Sequence, residues 1–237
     1  MLKSVVIGIF VLVLSSCGGS TSTPTDPNQS FSLSRLQSTT LGTVYSSQLT
    51  GSDSNGVHYT GSVSMANRAQ TMLKGVLVTQ RDFIISISGG GTSMTFTATS
   101  NVDTSGNLIS VVIQTTGLTC SPESPDAMPT TVKIGDFGIL PAMTCSDNTT
   151  TERNWRVEDA GNGNINVISN ATVKDQSNTM ISVGDATITI NGSGNIVAFK
   201  TVLTQLASKY TLTLKVHKSH NNGLHTESLR SAIRPIG

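Results

Sequence analysis

From Gly42 to His217 the dominant pattern is alternation of apolar and polar side chains with a period of two. Ile84-Ile85-Ser86-Ile87-Ser88 and Thr95-Phe96-Thr97-Ala98-Thr99 are the clearest cases. Such alternation gives a strand one buried face and one wetted face. It predicts strands over 42–50, 57–65, 73–79, 82–88, 93–99 and 107–114. A loop at 120–129 with three prolines follows. A second set is predicted over 130–134, 139–145, 152–158, 164–174, 185–190, 195–203 and 209–217. Asn55-Gly56 and Ser105-Gly106-Asn107 supply the left-handed positions that tight hairpins need. Gly89-Gly90-Gly91 reads as a looser hairpin. Residues 196–207 are the best helix candidate, but their Val and Thr content and the KYTLTLKV that follows favour strand. Residues 31–41 form an early strand or dock on the first sheet. The expected fold is all-β: an antiparallel meander arranged as a sandwich or half-barrel.

Two stretches echo each other. DTSGNLISVV (103–112) and NGSGNIVAFK (191–200) share a Ser-Gly-Asn turn followed by an apolar strand. Upstream, Tyr59 and Trp155 each precede a comparable β run. The order predicts two duplicated halves, 31–118 and 119–218, within a β domain spanning 31–218. A generic Ser/Gly/Asn-rich β chain also produces such echoes. Residues 219–237 lose the alternation and read as a tail.

The first sixteen residues, MLKSVVIGIFVLVLSS, place Lys3 before ten apolar positions, Val5 to Leu14. A bilayer span needs roughly 20 apolar residues, so this is the length of a secretory h-region. The predicted signal peptide is 1–16. Leu14-Ser15-Ser16-Cys17 resembles the lipobox of bacterial lipoproteins. That resemblance implies cleavage before Cys17, a diacylglycerol on its sulfur and acylation (palmitate-type) of the new amino group. More than one acyl chain makes anchoring stable. The residue after Cys17 is Gly18, not Asp, which in that family implies onward transfer to the outer membrane. Residues 17–30 then read as a lipidated flexible tether, being small, polar and twice interrupted by Pro.

Export changes the reading of the cysteines. With Cys17 set aside, Cys120 and Cys145 form an even pair in an oxidising compartment and predict a disulfide at the joint between the halves. The charged fraction is 12%, about half the usual share. Removing residues 1–16 removes Lys3, leaving 14 basic and 14 acidic residues. No net field steers such a chain toward nucleic acid. One Trp, three Tyr and six Phe must also fill a core, which leaves little for a base- or sugar-stacking platform. From Lys200 onward six basic residues face one acidic, Glu227, a local basicity suited to lipid headgroups or polysaccharide.

Catalytic signals are weak. No Gly-x-Ser-x-Gly elbow occurs between a strand and a helix. Gly192-Ser193-Gly194 is a hairpin turn. His58 follows Asp53 by five residues, an arrangement that serves as a surface pair or, less simply, as part of a triad. His217, His220 and His225, with Glu227, have ligand-like chemistry but match no standard structural metal site. Glu158 and Asp159 are adjacent on a strand and point to opposite faces. Asp53-Ser-Asn-Gly and Asp103-Thr-Ser-Gly-Asn faintly resemble calcium loops, and Asx-turn chemistry accounts for them equally well. Trp155 shares a face with Val157, which predicts a core position and places Arg153 on the same face at the rim.

No catalytic, cofactor or metal residue is therefore assigned. The stretches GSDSNGVHYTGS (51–62) and NWRVEDAGNGN (154–164) loosely resemble β-rich lipoproteins of Gram-negative bacteria, a resemblance that implies no activity. The expected function is a non-catalytic structural or interaction module. It would be lipid-anchored in the cell envelope at the outer membrane and touch the membrane, a partner protein or an envelope polymer. The alternative is a carrier holding an apolar ligand in a β cavity. A hydrolase is the third option.

Overall fold

The computed structural model describes residues 23–126 and 128–216, without the side chains of residues 35, 36, 43 and 44. Cys17, the signal region and His217, His220 and His225 lie outside the described residues.

The described residues form fourteen strands and one helical turn. They are β1 (Phe31–Ser32), α1 (Ser34–Gln37), β2 (Gly42–Asp53), β3 (His58–Leu73), β4 (Val76–Gly89), β5 (Thr92–Asp103), β6 (Leu108–Ile113) and β7 (Leu118–Pro122). The rest are β8 (Thr131–Val132), β9 (Phe137–Cys145), β10 (Thr150–Gly161), β11 (Asn164–Lys174), β12 (Met180–Asn191), β13 (Ile196–Gln205) and β14 (Tyr210–Val216). Twelve strands close into one antiparallel barrel, in the order β2 to β7 and then β9 to β14, with β14 pairing back onto β2. β1 and β8 form a separate two-stranded sheet. The all-β antiparallel meander is as expected. Its closure is not the predicted sandwich or half-barrel: pairs such as Leu214 with Gly51 abolish the two edges an open sheet would leave.

Strand parity sets the two faces. The inward positions of β2 to β7, β9, β11, β13 and β14 contribute one cluster that includes Leu49, Val63, Phe83, Ile85, Ile113 and Leu214. A second cluster gathers Trp155, Val157, Ile165, Val167, Ile188 and Ile190 from β10 to β12 with Phe31, Leu33 and Val132 from the β1–β8 insertion. Outward positions on the same strands are mostly Ser, Thr, Asn and charged residues, with exposed pairs such as Arg156–Glu158 and Lys174–Glu152; Ile84, Ile168, Val183 and Val202 are apolar exceptions. Trp155 is a core residue, as predicted, and is 8% exposed.

Four of the hairpin turns share one chemistry. The first residue's side-chain oxygen accepts the N–H groups two and four positions on: Asp53 from Asn55 and Val57, Asp103 from Ser105 and Asn107. Asp175 takes Ser177 and Thr179, and Asn191 takes Ser193 and Asn195. The fourth residue has a positive φ: Gly56 (78°), Gly106 (86°), Asn178 (61°) and Gly194 (75°).

Three expectations shift and one is refined. The strand predicted at 73–79 contains the Lys74-Gly75 turn (φ 49° and 82°), so β3 and β4 form one long hairpin. The strand predicted at 130–134 pairs only over Thr131–Val132. Of the courses expected for residues 31–41 both occur, with one refinement: the early strand β1 pairs with β8 outside the barrel wall, while Ser38 and Thr40 dock on β3 and β4. The tether expected over 17–30 is docked from Thr23 onward, and Thr25 is 5% exposed. Asn162 donates its N–H to Thr23 O (2.8 Å), and Thr25 Oγ1 donates to Asn164 O (3.1 Å).

Candidate functional site

Cys120 and Cys145 lie directly opposite on β7 and β9 with sulfurs 2.03 Å apart, at the joint between β2–β7 and β9–β14. His58 is exposed on the outward face of β3, whereas the Asp53 carboxylate faces inward, so the fold separates them. Glu158 pairs outward with Arg156, and Asp159 binds Thr25 and Gly161 N–H groups. The carboxylates of Asp53 and Asp103 are spent on turn N–H groups, as Asx turns require. Among the described residues no group of three or more His, Cys, Asp or Glu could hold a metal ion.

The interior carries three polar constellations. Near the upper end, Tyr59 donates its hydroxyl to Asp53 Oδ2 (3.0 Å) across the β2–β3 pair. Tyr210 on β14 joins them, so the cluster ties the last barrel strand to the first two. Desolvation pushes the Asp53 carboxyl up, but hydrogen bonds from Val57, Tyr59, Asn55 and Tyr210 outweigh it and hold it below the usual range. Burial, with Tyr59 and Asp53 alongside, pushes Tyr210 well above an ordinary phenol. The Tyr59 ring is accommodated by Gly89, where a Cβ would stand 2.8 Å from Tyr59 Cδ1.

In the second half, Arg153 Nη2 meets Asp126 Oδ2 at 2.8 Å, with side chains 7% and 5% exposed. It also donates to Pro141 O (2.6 Å), while Nε has no hydrogen-bond partner. Arg153 therefore lies inside the barrel, not at its rim. Parity placed it on the inward face correctly, but its partner comes from the 123–136 loop, which no periodicity announces. In the first half, Asn67 Nδ2 donates to Ser38 O (2.7 Å) and Thr40 O (2.8 Å). Arg81 donates to Asn67 Oδ1 through Nε (2.8 Å) and to Ser38 O through Nη2 (2.6 Å). Burial lowers the Arg81 pKa. Arg153 and Asp126 neutralise one another, and the other groups are held by hydrogen bonds among themselves and to backbone carbonyls.

The remaining candidate is a surface. Hairpin turns alternate between the two ends of the barrel. The lower end carries the turns at 74–75, 104–107, 162–163 and 192–195, the 123–136 loop and the N-terminal segment. Among the described residues eight large apolar side chains are exposed, and six of them belong to this end: Leu41 (57%), Met72 (62%), Val76 (41%), Leu77 (41%), Phe137 (81%) and Ile139 (87%). The upper end has Met180 and Leu206. Met72-Leu73-Lys74-Gly75-Val76-Leu77 forms the tip of the β3–β4 hairpin, and it runs past the start of β2, which pairs no further than Asn67.

Phe137 and Ile139 begin β9 where the wall is least complete. β7 pairs with β9 only from Met143 to Cys145, so the lower part of β9 has β10 on one side and no paired strand on the other. Opposite Gly138, the Trp155 indole fills the space a side chain would take: a Cβ would stand 2.7 Å from Nε1. The sequence reading missed this surface. Its signal is the pair of apolar runs MLKGVL, interrupted only by Lys74-Gly75, and FGIL; the alternation reads most of the first as strand interior.

No protein-family model, no curated protein and no solved structure matches this chain.

Proposed function

We propose that this chain is an extracytoplasmic lipoprotein, anchored through Cys17, that acts as a non-catalytic structural or interaction module at the outer membrane. The observation that carries this reading is the polarity of the barrel. Inward positions are mostly apolar and closely buried; Ile165, Val167, Ile188 and Ile190 are 0% exposed. Outward positions are mostly polar, with isolated apolar residues such as Ile84 and Val202. A barrel that crosses a membrane has the opposite arrangement, with an apolar band outside and a polar lumen. This wall therefore suits water and does not span a bilayer, and the lipid on Cys17 supplies the tether to the membrane. Side chains of 0–8% exposure across both interior clusters also fill the space that an apolar cargo would need. That favours the module over the carrier.

Two measurements test the reading. Mass spectrometry of the N-terminal peptide from membranes is expected to find Cys17 as the first residue, carrying acyl chains; an unmodified terminus elsewhere overturns the anchor. Solvent extraction of the purified protein is expected to release no stoichiometric apolar molecule. Recovery of one apolar molecule per chain replaces the module with the carrier.

A further inference from the structure

We infer that the lower rim of the barrel, led by the Met72–Leu77 hairpin tip, rests in the interfacial layer of the bilayer that holds the anchor. The inference builds on the lipid-anchor reading above and names the surface that the module touches.

Three observations converge on it. The first is chain length. Thr23, the first described residue, is bound to Asn162 at the β10–β11 turn, on the lower end. Six residue steps separate it from Cys17, a reach of at most about 20 Å even fully extended. A lipid at Cys17 therefore keeps the lower mouth beside the membrane and the upper turns away from it. The second is the distribution of apolar surface: six of the eight exposed large apolar residues lie at that end. The third is the form of the tip. Met72 pairs with Leu77 and Leu73 with Val76, so both faces of the hairpin end are apolar. A tip that packed on protein by one face would leave the other polar.

The charges around the tip agree with a headgroup layer. Lys74 stands at the turn and can reach lipid phosphates while Met72 and Leu77 enter the acyl boundary. The nearest acids are engaged: Asp82 with Arg68 (3.2 Å), and Asp103 with its own turn. Leu41 widens the apolar rim, and Phe137 and Ile139 do so on β9.

The test places a tryptophan at each end of the acylated full-length protein, with Trp155→Phe removing the native signal. Met72→Trp reports on the lower tip and Met180→Trp on the upper end. Both are reconstituted in phosphatidylcholine/phosphatidylglycerol vesicles with and without brominated acyl chains. Trp at 72 is expected to shift to the blue in vesicles and to lose emission to bromine, while Trp at 180 does neither. Circular dichroism verifies that both variants fold. Equal, water-like emission from both positions, with acylated Cys17 verified by mass, overturns the rim inference and leaves the anchor standing. Trp at 72 that is blue-shifted without vesicles, in a concentration-dependent way, also overturns it and makes a second copy the occupant. If Cys17 proves unacylated, the anchor reading fails separately. Bromine quenching at 72 in that protein would still support contact between the rim and lipid.

Discussion

The two halves of the barrel wall, β2–β7 and β9–β14, close their lower ends by different means. In the second half the space is filled with hydrocarbon. Phe31, Leu33 and Val132 enter from the β1–β8 insertion and pack on Trp155, Val157, Ile165 and Ile190. In the first half the same N-terminal segment is held by polar hooks, as Asn67 and Arg81 grip the Ser38 and Thr40 carbonyls. One strap thus spans both halves, pinned by apolar burial at one side and by hydrogen bonds at the other. The difference teaches which contacts carry the free energy. Apolar area contributes about 25 cal/mol per Å² buried, whereas an exchanged hydrogen bond nets only about 1 kcal/mol. The apolar side is the anchor of the strap, and the polar side fixes its course.

The comparison can be broken most forcefully at Phe31, which is 0% exposed. Phe31→Ala is expected to cost about 4 kcal/mol, through lost transfer energy and an unfilled cavity. Denaturant unfolding would read this as a lowered midpoint. A loss below about 1 kcal/mol would show that the plug is not what holds the second half. Next is Asp126→Ala, which strands the buried Arg153 guanidinium at an expected cost of about 3 kcal/mol. Arg153→Met in the same chain should recover most of that loss, because an apolar side chain needs no partner. No recovery would mean that Asp126 acts through the 123–136 loop.

Asn67→Ala should cost about 2 kcal/mol, since it leaves two carbonyls and the Arg81 Nε with fewer partners. The strap should then loosen only on the first-half side. Hydrogen exchange would read faster opening around 38–41 with 25–33 unchanged, and uniform loosening of both would dissolve the distinction between hooks and plug.

The smallest effect concerns the paired turns. Asp103 and Asn191 hold equivalent turns, each between the fourth and fifth strands of its half. Burial raises the Asp103 pKa, but hydrogen bonds from Asn107, Ser105 and Gly106 lower it more. A carboxyl depressed in the folded state stabilises above its unfolded pKa of about 4, and that contribution is lost as pH falls through the folded value. Asn191 has no such dependence. Asp103→Asn should therefore unfold slightly earlier than the parent at neutral pH. The gap should close on acidification, as read by thermal melts from pH 7 to about pH 2. A gap that stays constant would exclude the carboxylate as its source.

The matched turns were legible because a Ser-Gly-Asn turn is a local device, the same one that closes the Asp53 and Asp175 hairpins. Strand faces were legible for the same reason: parity is written residue by residue, and it placed Trp155, Ile85 and Phe96 inward. Hidden features were the non-local ones. Lys74-Gly75 sits inside an apolar run that reads equally well as continuous strand. Asp126 finds Arg153 only because the 123–136 loop folds back into the barrel. The pairing of β14 with β2 has no sequence signal near either strand, so a half-barrel looked as reasonable as a closed one. The candidate surface was invisible for a related reason: exposed and buried leucines look alike until the end of the barrel is known.

That last seam has a temporal consequence. Because Gly51 must meet Leu214, the cylinder stays open until the final strand has been synthesised and delivered. The other barrel strands pair with their neighbours along the chain, but this seam joins strands from opposite ends of the barrel sequence, and closing so long a loop is the slow step of such a topology. An incomplete chain exposes strand borders to neighbours throughout that interval. Whatever shields those borders has to act until the last barrel strand arrives, because no earlier strand can take its place in the seam.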